Sequence, residues 1–293
     1  ISTLLMRAYD NDLLARTRLF PMSSNVLRIP AVNETSRADG SRFGGIRAYW
    51  KGEGPPAGAY SKPGMAEVKL EPNTIILLVR ATNELLEDAS ALEVYVNDMA
   101  AQELNFKLGD GIINGDGVEK PLGILKSSAR VTVPKEGSQT GGTVVAENVV
   151  KMWSRMYAPC RANAVWLINQ DVEPQLDLMT IGTAGAKLAA YLPPGGLSDS
   201  PYATLRGRPV IPVEFCETVG TEGDIILCDL SQYLTGTRNG MQSLASAHVF
   251  FDTNEMAYRF TFRMDGKPWW LSPLTPYKGT NKQSCFVTLE TRS

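Results

Sequence analysis

Between residues 44 and 71 the apolar positions recur at every second residue. Ile46, Ala48 and Trp50 alternate with Arg47, Tyr49 and Lys51, and Ala66, Val68 and Leu70 alternate with Glu67, Lys69 and Glu71. A period of two predicts two strands, each with one covered face. Gly52-Glu53-Gly54-Pro55-Pro56-Ala57-Gly58 and Pro63-Gly64 separate them, a density of breakers that belongs to neither helix nor strand. The expectation is a long hairpin with a flexible tip. Such a hairpin is not stable alone in water, so it must lie on something, and a neighbouring copy is the natural candidate. The apolar run 73–80 then reads as a buried strand.

The period next lengthens to that of a helix. Ser90-Ala91-Leu92-Glu93 has the form of a capping box, in which the serine takes an orphan N–H and the glutamate reaches back. Leu92, Tyr95, Val96, Met99 and Phe106 fall on one stripe, with Asn97, Asp98, Gln102 and Asn105 outside it. Gly109 is expected to end the helix as a left-handed cap, giving a rod of about 30 Å over 90–109. Glu103 interrupts the stripe near its centre. A buried carboxylate is expensive alone, so a structural ion pair is expected there. Asn114-Gly115-Asp116-Gly117 and Pro121-Leu122-Gly123-Ile124-Leu125 follow, a glycine-broken turn that pins the end of a strut.

In the middle of the chain Val149, Val150, Trp153 and Met156 predict a short amphipathic helix, and Ala164-Val165-Trp166-Leu167-Ile168 a buried strand. Val210 and the run 224–230 add further strand, after a long loop around Pro193-Pro194-Gly195-Gly196. Towards the C-terminus Met256, Tyr258, Phe260 and Phe262 alternate with Ala257, Arg259, Thr261 and Arg263. Asp265-Gly266 is expected to turn a hairpin, with Trp269-Trp270-Leu271 starting the return. Cys285, Val287 and Leu289 alternate with Phe286, Thr288 and Glu290. Residues 1–40 show no sustained period. They read either as an extended arm that finds partners elsewhere or as an ordinary irregular terminus. The fold class is α+β, with no internal repeat.

Composition narrows the field. With 293 residues and 43% apolar content the chain can bury a real core. A net charge of -2 argues against general attraction to nucleic acid, which needs clustered Lys and Arg. Cys160, Cys216, Cys228 and Cys285 have no paired spacing, which disfavours a zinc site, and they read as reduced core residues. No run of eighteen apolar residues exists to span a membrane, and no charged region leads into a signal sequence. The first residue is Ile1, as an arbitrary boundary or proteolytic trimming would leave it.

Candidate chemistry fails one test after another. His248 is the single histidine and sits in the strand-like run 245–251, with no GxSxG elbow or cysteine-protease signature to use it. The glycines of 109–117 lack the Gly-Lys-Ser/Thr of a phosphate loop, and Ile112-Ile113 spoils an EF-hand. Glu87 and Asp88 belong to a solvated helix face. No catalytic, cofactor or metal residues are assigned.

Several motifs, taken in order, resemble the major capsid proteins of tailed bacteriophages, the family whose fold was first described for the phage Hong Kong 97. They are Asn83-Glu84-Leu85-Leu86-Glu87-Asp88, the helix with Glu103, Asn114 through Leu125, Trp166-Leu167-Ile168-Asn169 and Leu205-Arg206-Gly207-Arg208-Pro209-Val210. Gly223-Asp224 with Tyr233, and Arg263-Met264-Asp265-Gly266, complete the set. Each is weak alone; together they cover roughly residues 44–290.

The resemblance implies an N-terminal arm at 1–40, an extended loop hairpin at 41–80, a peripheral domain at 81–139 and 246–293 with a long spine helix, and an axial domain at 140–245. It implies a non-enzymatic subunit that forms pentamers and hexamers and closes into an icosahedral shell around packaged double-stranded DNA, held without sequence specificity. Portal, scaffolding, decoration and maturation-protease partners belong to that picture, as does assembly in the bacterial cytoplasm into a virion capsid. Trimming by the protease agrees with the absent methionine.

Assembly-interface candidates are Trp50, Lys51, Lys62, Glu103 and Asn254. Some members of the family weld an extended-loop Lys to a peripheral-domain Asn with help from a Glu. Lys51, Lys62 and Asn254 stand near the right places, but Tyr258, Phe260, Thr261 and Phe262 occupy the strand where the acid belongs, and Glu255 points to the other face. No crosslink is therefore expected. Two alternatives stay open: an encapsulin-like bacterial compartment that shares the fold, and a soluble α+β enzyme.

Overall fold

The computed structural model describes residues 12–50, 53, 63–82, 92–181, 188–189, 191–192, 204–250 and 252–292. The first half of the chain holds α1 (Asp12–Arg16), β1 (Arg18–Pro21), β2 (Leu27–Val32), β3 (Met65–Leu70), β4 (Asn73–Thr82), α2 (Leu92–Asn114) and β5 (Val131–Val133). Then come α3 (Ala146–Arg155), β6 (Val165–Ile168), α4 (Glu173–Asp177), β7 (Thr180–Ile181), β8 (Leu188–Ala189), β9 (Tyr191–Leu192), β10 (Thr204–Leu205) and β11 (Arg208–Pro212). The chain closes with β12 (Ile225–Cys228), β13 (Tyr233–Phe250), β14 (Glu255–Pro268) and β15 (Phe286–Leu289). It divides into two units, Ile1–Arg28 with Lys69–Gly123 and Tyr233–Lys267, and Ile29–Val68 with Ile124–Gln232 and Pro268–Ser293.

The first unit is built on a sheet of order β1-β13-β14-β4. Strand β14 keeps the predicted alternation: Tyr258, Phe260, Phe262 and Met264 are buried, while Arg259, Thr261 and Arg263 are more exposed. Strand β4 pairs with it antiparallel, Ile76 opposite Thr261 and Leu78 opposite Arg259. As the sheet's terminal strand β4 is only half covered, and Ile76 and Leu78 are exposed, against the expectation of a buried strand. Residues 12–32 are not a free arm. They contain α1, β1 and β2, and β1 runs parallel to β13 with Arg18 beside Leu234.

Helix α2 runs 23 residues, through Gly109 and Gly111 to Asn114, so Gly109 does not cap it. The helix stops where two glycines let backbone meet backbone. A Cβ on Gly115 would lie 2.1 Å from the Pro121 carbonyl oxygen, and one on Gly123 would lie 2.5 Å from that of Ile113. Gly123 N–H donates to Gly115 O at 2.8 Å, and Gly117 N–H to Pro121 O at 3.1 Å, closing a loop of five exposed residues, Asp116 to Lys120. Buried Tyr233 donates its hydroxyl to Leu122 O at 2.9 Å, and Leu122 N–H donates to Gly266 O at 2.8 Å.

Asp265-Gly266 consequently does something other than turn a hairpin. Strand β14 passes straight through both residues. Gly266 lies against the Tyr233 ring, where a Cβ would sit 2.6 Å from Cε1. Asp265, buried, accepts from Glu71 N–H at 2.7 Å and Gly266 N–H at 2.8 Å. Trp269-Trp270-Leu271 forms no strand.

The second unit holds a seven-stranded sheet of order β5-β15-β12-β6-β11-β10-β9. Its centre is covered on both faces, and the sequence shows it: every residue of β6, β12 and β15 is buried. Such runs lose the alternation of a half-exposed strand. Helix α3 forms as expected, burying Val149 and Met152 against this sheet. The Leu205–Val210 motif is a tight hairpin whose two loop residues, Arg206 and Gly207, both take positive φ, as a two-residue turn between twisted strands requires. Of the predicted 44–71 hairpin only the return strand β3 exists among the described residues, and it pairs with β2; residues 47–50 belong to no strand. The capping box at Ser90 and the loop at 193–196 lie outside the described residues.

Two features close this unit. Arg292 and Asp224 form an ion pair with both side chains wholly buried. Asp224 also accepts from Gly220 N–H at 2.9 Å, and the Arg292 backbone bonds Gly220 O and Gly142 N–H. Burial pushes the Asp224 carboxyl up, while the Gly220 N–H and the Arg292 guanidinium pull the other way. Second, Cys160 and Cys285 are joined by a disulfide across 125 residues, correcting the reading of four reduced cysteines; Cys216 and Cys228 are free and buried.

Two substitutions test this architecture by chemical denaturation. Gly123→Ala drives a methyl into three backbone atoms that cannot move aside, and should cost about 3 kcal/mol, whereas Gly137→Ala, with open space around it, should stay within about 0.5 kcal/mol. Asp224→Asn leaves the buried Arg292 charge uncompensated and should cost about 3–5 kcal/mol.

Candidate assembly surfaces

Helix α2 is apolar on two opposite sides. Its inward stripe is Val96, Ala100, Leu104, Leu108 and Ile112, a spacing of four that keeps one face on the unit's core. Tyr95, Met99 and Phe106 belong to the reverse side, within an arc of roughly 40° at 100° per residue. They are 61%, 52% and 41% exposed. The sequence reading placed these three in the core because periodicity alone cannot say which of two apolar faces is inside. Glu103 is exposed beside them and not buried as expected, and among the described residues it forms no ion pair. Further along, Lys107 pairs with Asp110 at 3.2 Å, and Asp110 accepts from Asn114 at 2.9 Å.

The sheet of the same unit carries a second uncovered face. Ile76 and Leu78 stand out from β4, and beyond residue 241 strand β13 is exposed almost throughout, with Leu244, Val249 and His248 open to solvent. Asn254 occupies the turn between β13 and β14 at φ +54°, exposed. Glu255 next to it lies 3.7 Å from Arg80.

In the second unit Gly44 and Gly64 meet as a glycine neck. Gly44, at φ +76°, has no room for a side chain: a Cβ would lie 2.6 Å from Gly64 O, and Gly64 N–H donates to Gly44 O at 2.7 Å. Glu34 anchors the base with a two-pronged bond to Arg37, at 2.8 and 2.9 Å, and accepts from Phe43 N–H. Arg37 in turn donates to the Tyr157 hydroxyl at 2.9 Å and lies over its ring. The Arg37 hydrogen bonds hold the Glu34 carboxyl below its usual range. Its share of stability is therefore present above the ordinary carboxylate range and fades as pH falls through the lowered value. Beside the neck Phe43 is exposed, and past it Ile46, Tyr49 and Trp50 are exposed, Trp50 completely.

Trp50, Glu103 and Asn254 are thus all solvent-facing, Trp50 in the second unit and the other two on separate elements of the first. Lys51 and Lys62 lie outside the described residues. The stripe of Tyr95, Met99 and Phe106 and the edge residues Ile76 and Leu78 were missed as surface features. An excess of apolar positions for one helix face was the available signal. Among the described residues no group of three or more His, Cys, Asp or Glu is placed to hold a metal ion, and no helix is long and apolar enough to cross a membrane.

The surfaces have relatives. The model of the phage capsid family matches residues 6–279. No curated protein matches the chain. Among solved structures, the capsid of the native GTA particle computed with C5 symmetry superposes with a TM-score of 0.70 at 16% identity, covering 97% of this chain and 90% of that one. The Microbacterium phage Oxtober96 structure gives 0.64 at 15% identity over 95% and 90%, and that of Mycobacterium phage Adephagia 0.60 at 15% over 95% and 89%. At these identities the likeness is one of fold, and the family match carries the identity. The chain belongs to the phage capsid family, as a major capsid protein that builds an icosahedral shell.

Proposed function

We propose that this subunit associates as pentamers and hexamers and that the resulting shell encloses packaged double-stranded DNA within a virion. The observation that carries the reading is the outward stripe of Tyr95, Met99 and Phe106 on α2. A helix whose two opposite sides are apolar is finished only when a second surface covers it, and contiguous exposed apolar area on a soluble chain marks an interaction site. In this reading α2 is the spine helix of a peripheral domain, the seven-stranded unit is the axial domain, and the segment beyond the Gly44–Gly64 neck is the extended loop. Trp50, with Lys51 and Lys62, reaches a neighbour, as do Glu103 and Asn254. Each contact is modest, and closure of the shell sums many of them. The net charge of -2 suits a wall that contains its cargo without gripping it. Portal, scaffolding, decoration and maturation-protease proteins are the further partners, with assembly in the host bacterial cytoplasm.

Two measurements test this. Tyr95→Asp combined with Met99→Asp changes exposed positions only, so the chain should stay folded within about 0.5 kcal/mol. Electron microscopy and size-exclusion chromatography should nevertheless show loss of closed particles; abundant normal shells would overturn the assignment of the stripe. No covalent weld is expected either, since Glu255 is held near Arg80 and the β14 positions beyond it are Tyr258, Phe260 and Phe262. Particles boiled in detergent should run as a single band at the size of one subunit. A ladder of multimers would contradict this.

A further inference from the structure

The second unit contains a cysteine pair that its backbone brings together without help from the bond. Cys285 precedes β15, and Cys160 sits in a single-turn helix, Ala158–Ala162. The neighbouring residues are already tied: Tyr157 N–H donates to Ser284 O at 2.9 Å and Ser284 N–H to Arg155 O at 3.1 Å. Asp229 N–H holds Cys285 O at 3.0 Å, and Cys160 N–H holds Tyr157 O at 3.0 Å. This leaves the two Cα atoms 5.7 Å apart, well inside the range a disulfide bridges without moving the chain. The same backbone therefore accommodates two thiols or one bond.

We propose that Cys160 and Cys285 form a reversible oxidation site, a dithiol while the chain is made in a reducing compartment and an in-place disulfide once the protein meets an oxidising one. Access is asymmetric. Ala158, Pro159 and Ala162 around Cys160 are exposed, so a small opening of that turn presents its sulfur, while Cys285 stays inside. The Cys160 thiolate attacks a low-molecular-weight disulfide such as oxidised glutathione, forming a mixed disulfide and releasing one thiol. The Cys285 thiolate then displaces the second. Two S–H bonds are lost, one S–S bond forms, two protons leave, and the oxidant takes two electrons. Cys216 does not compete: it is buried, and burial with nearby Asp224 pushes its thiol up, away from the reactive form. Closing a 125-residue loop constrains the unfolded chain, so oxidation raises the stability of this unit. The proposal concerns the chain itself and holds whether or not it is in a shell.

The test starts with cells lysed directly into excess N-ethylmaleimide under denaturing conditions. Mass spectrometry should find all four cysteines alkylated. Purified protein treated with oxidised glutathione, then unfolded and alkylated, should carry label on Cys216 and Cys228 only and yield one crosslinked peptide containing Cys160 and Cys285. Its Tm should exceed that of the reduced protein by on the order of 5 °C. Cys285→Ser should abolish both the crosslinked peptide and the Tm difference. If that variant does not fold, the two redox states of the unaltered chain decide alone. A bond already present in the trapped lysate, four alkylatable cysteines after oxidation, or equal Tm values would each overturn the proposal.

Discussion

The first unit depends on the absence of two side chains. Gly115 and Gly123 approach so closely that the peptide backbone after α2 folds back onto the helix's last turn. The hydroxyl of Tyr233 and the carbonyl of Gly266 then hold Leu122 from the other side. A long helix is a lever, and errors in its direction grow with length. Fixing its end by hydrogen bonds between main chains, where there are no rotamers to adjust, sets that direction more firmly than side-chain packing would. Everything displayed along α2, including Tyr95, Met99, Glu103 and Phe106, inherits its position from this joint.

What could be read from the residues divides along a physical line. Patterns set by a strand's or helix's own periodicity were legible: the alternation of β14, the apolar run of β6, the short helix α3. Misreadings came where a residue's meaning depends on a distant partner. Gly109 and Gly266 look locally like a cap and a turn, yet one lies inside a helix and the other makes room for Tyr233. Cys160 and Cys285 are 125 residues apart, and only the folding of the second unit brings them together. The turn at Asn114–Gly117, by contrast, was legible as a pinned strut end, since so many breakers following a helix leave little else to form.

The candidate surfaces were half legible for a related reason. Sequence reports that a position is apolar without reporting what covers it. In α2 two apolar faces lie opposite one another, and the stronger-looking one, with its aromatic residues, is outside. Strand β4 misled in the same way: Ile76 and Leu78 look like core in a run of aliphatics but lie at the edge of the sheet with one side open. The residual apolarity that confuses a reading of one chain is what the proposed contacts between copies would cover.

The doubled character of α2 also bears on how such contacts respond to temperature. Attraction between nonpolar surfaces near room temperature is driven by the entropy of water and weakens on cooling. Ionic strength acts chiefly on exposed charges. In the proposed shell, cohesion through Tyr95, Met99 and Phe106 would be strengthened by moderate warmth and relaxed by chilling, while added sodium chloride would leave it nearly unchanged.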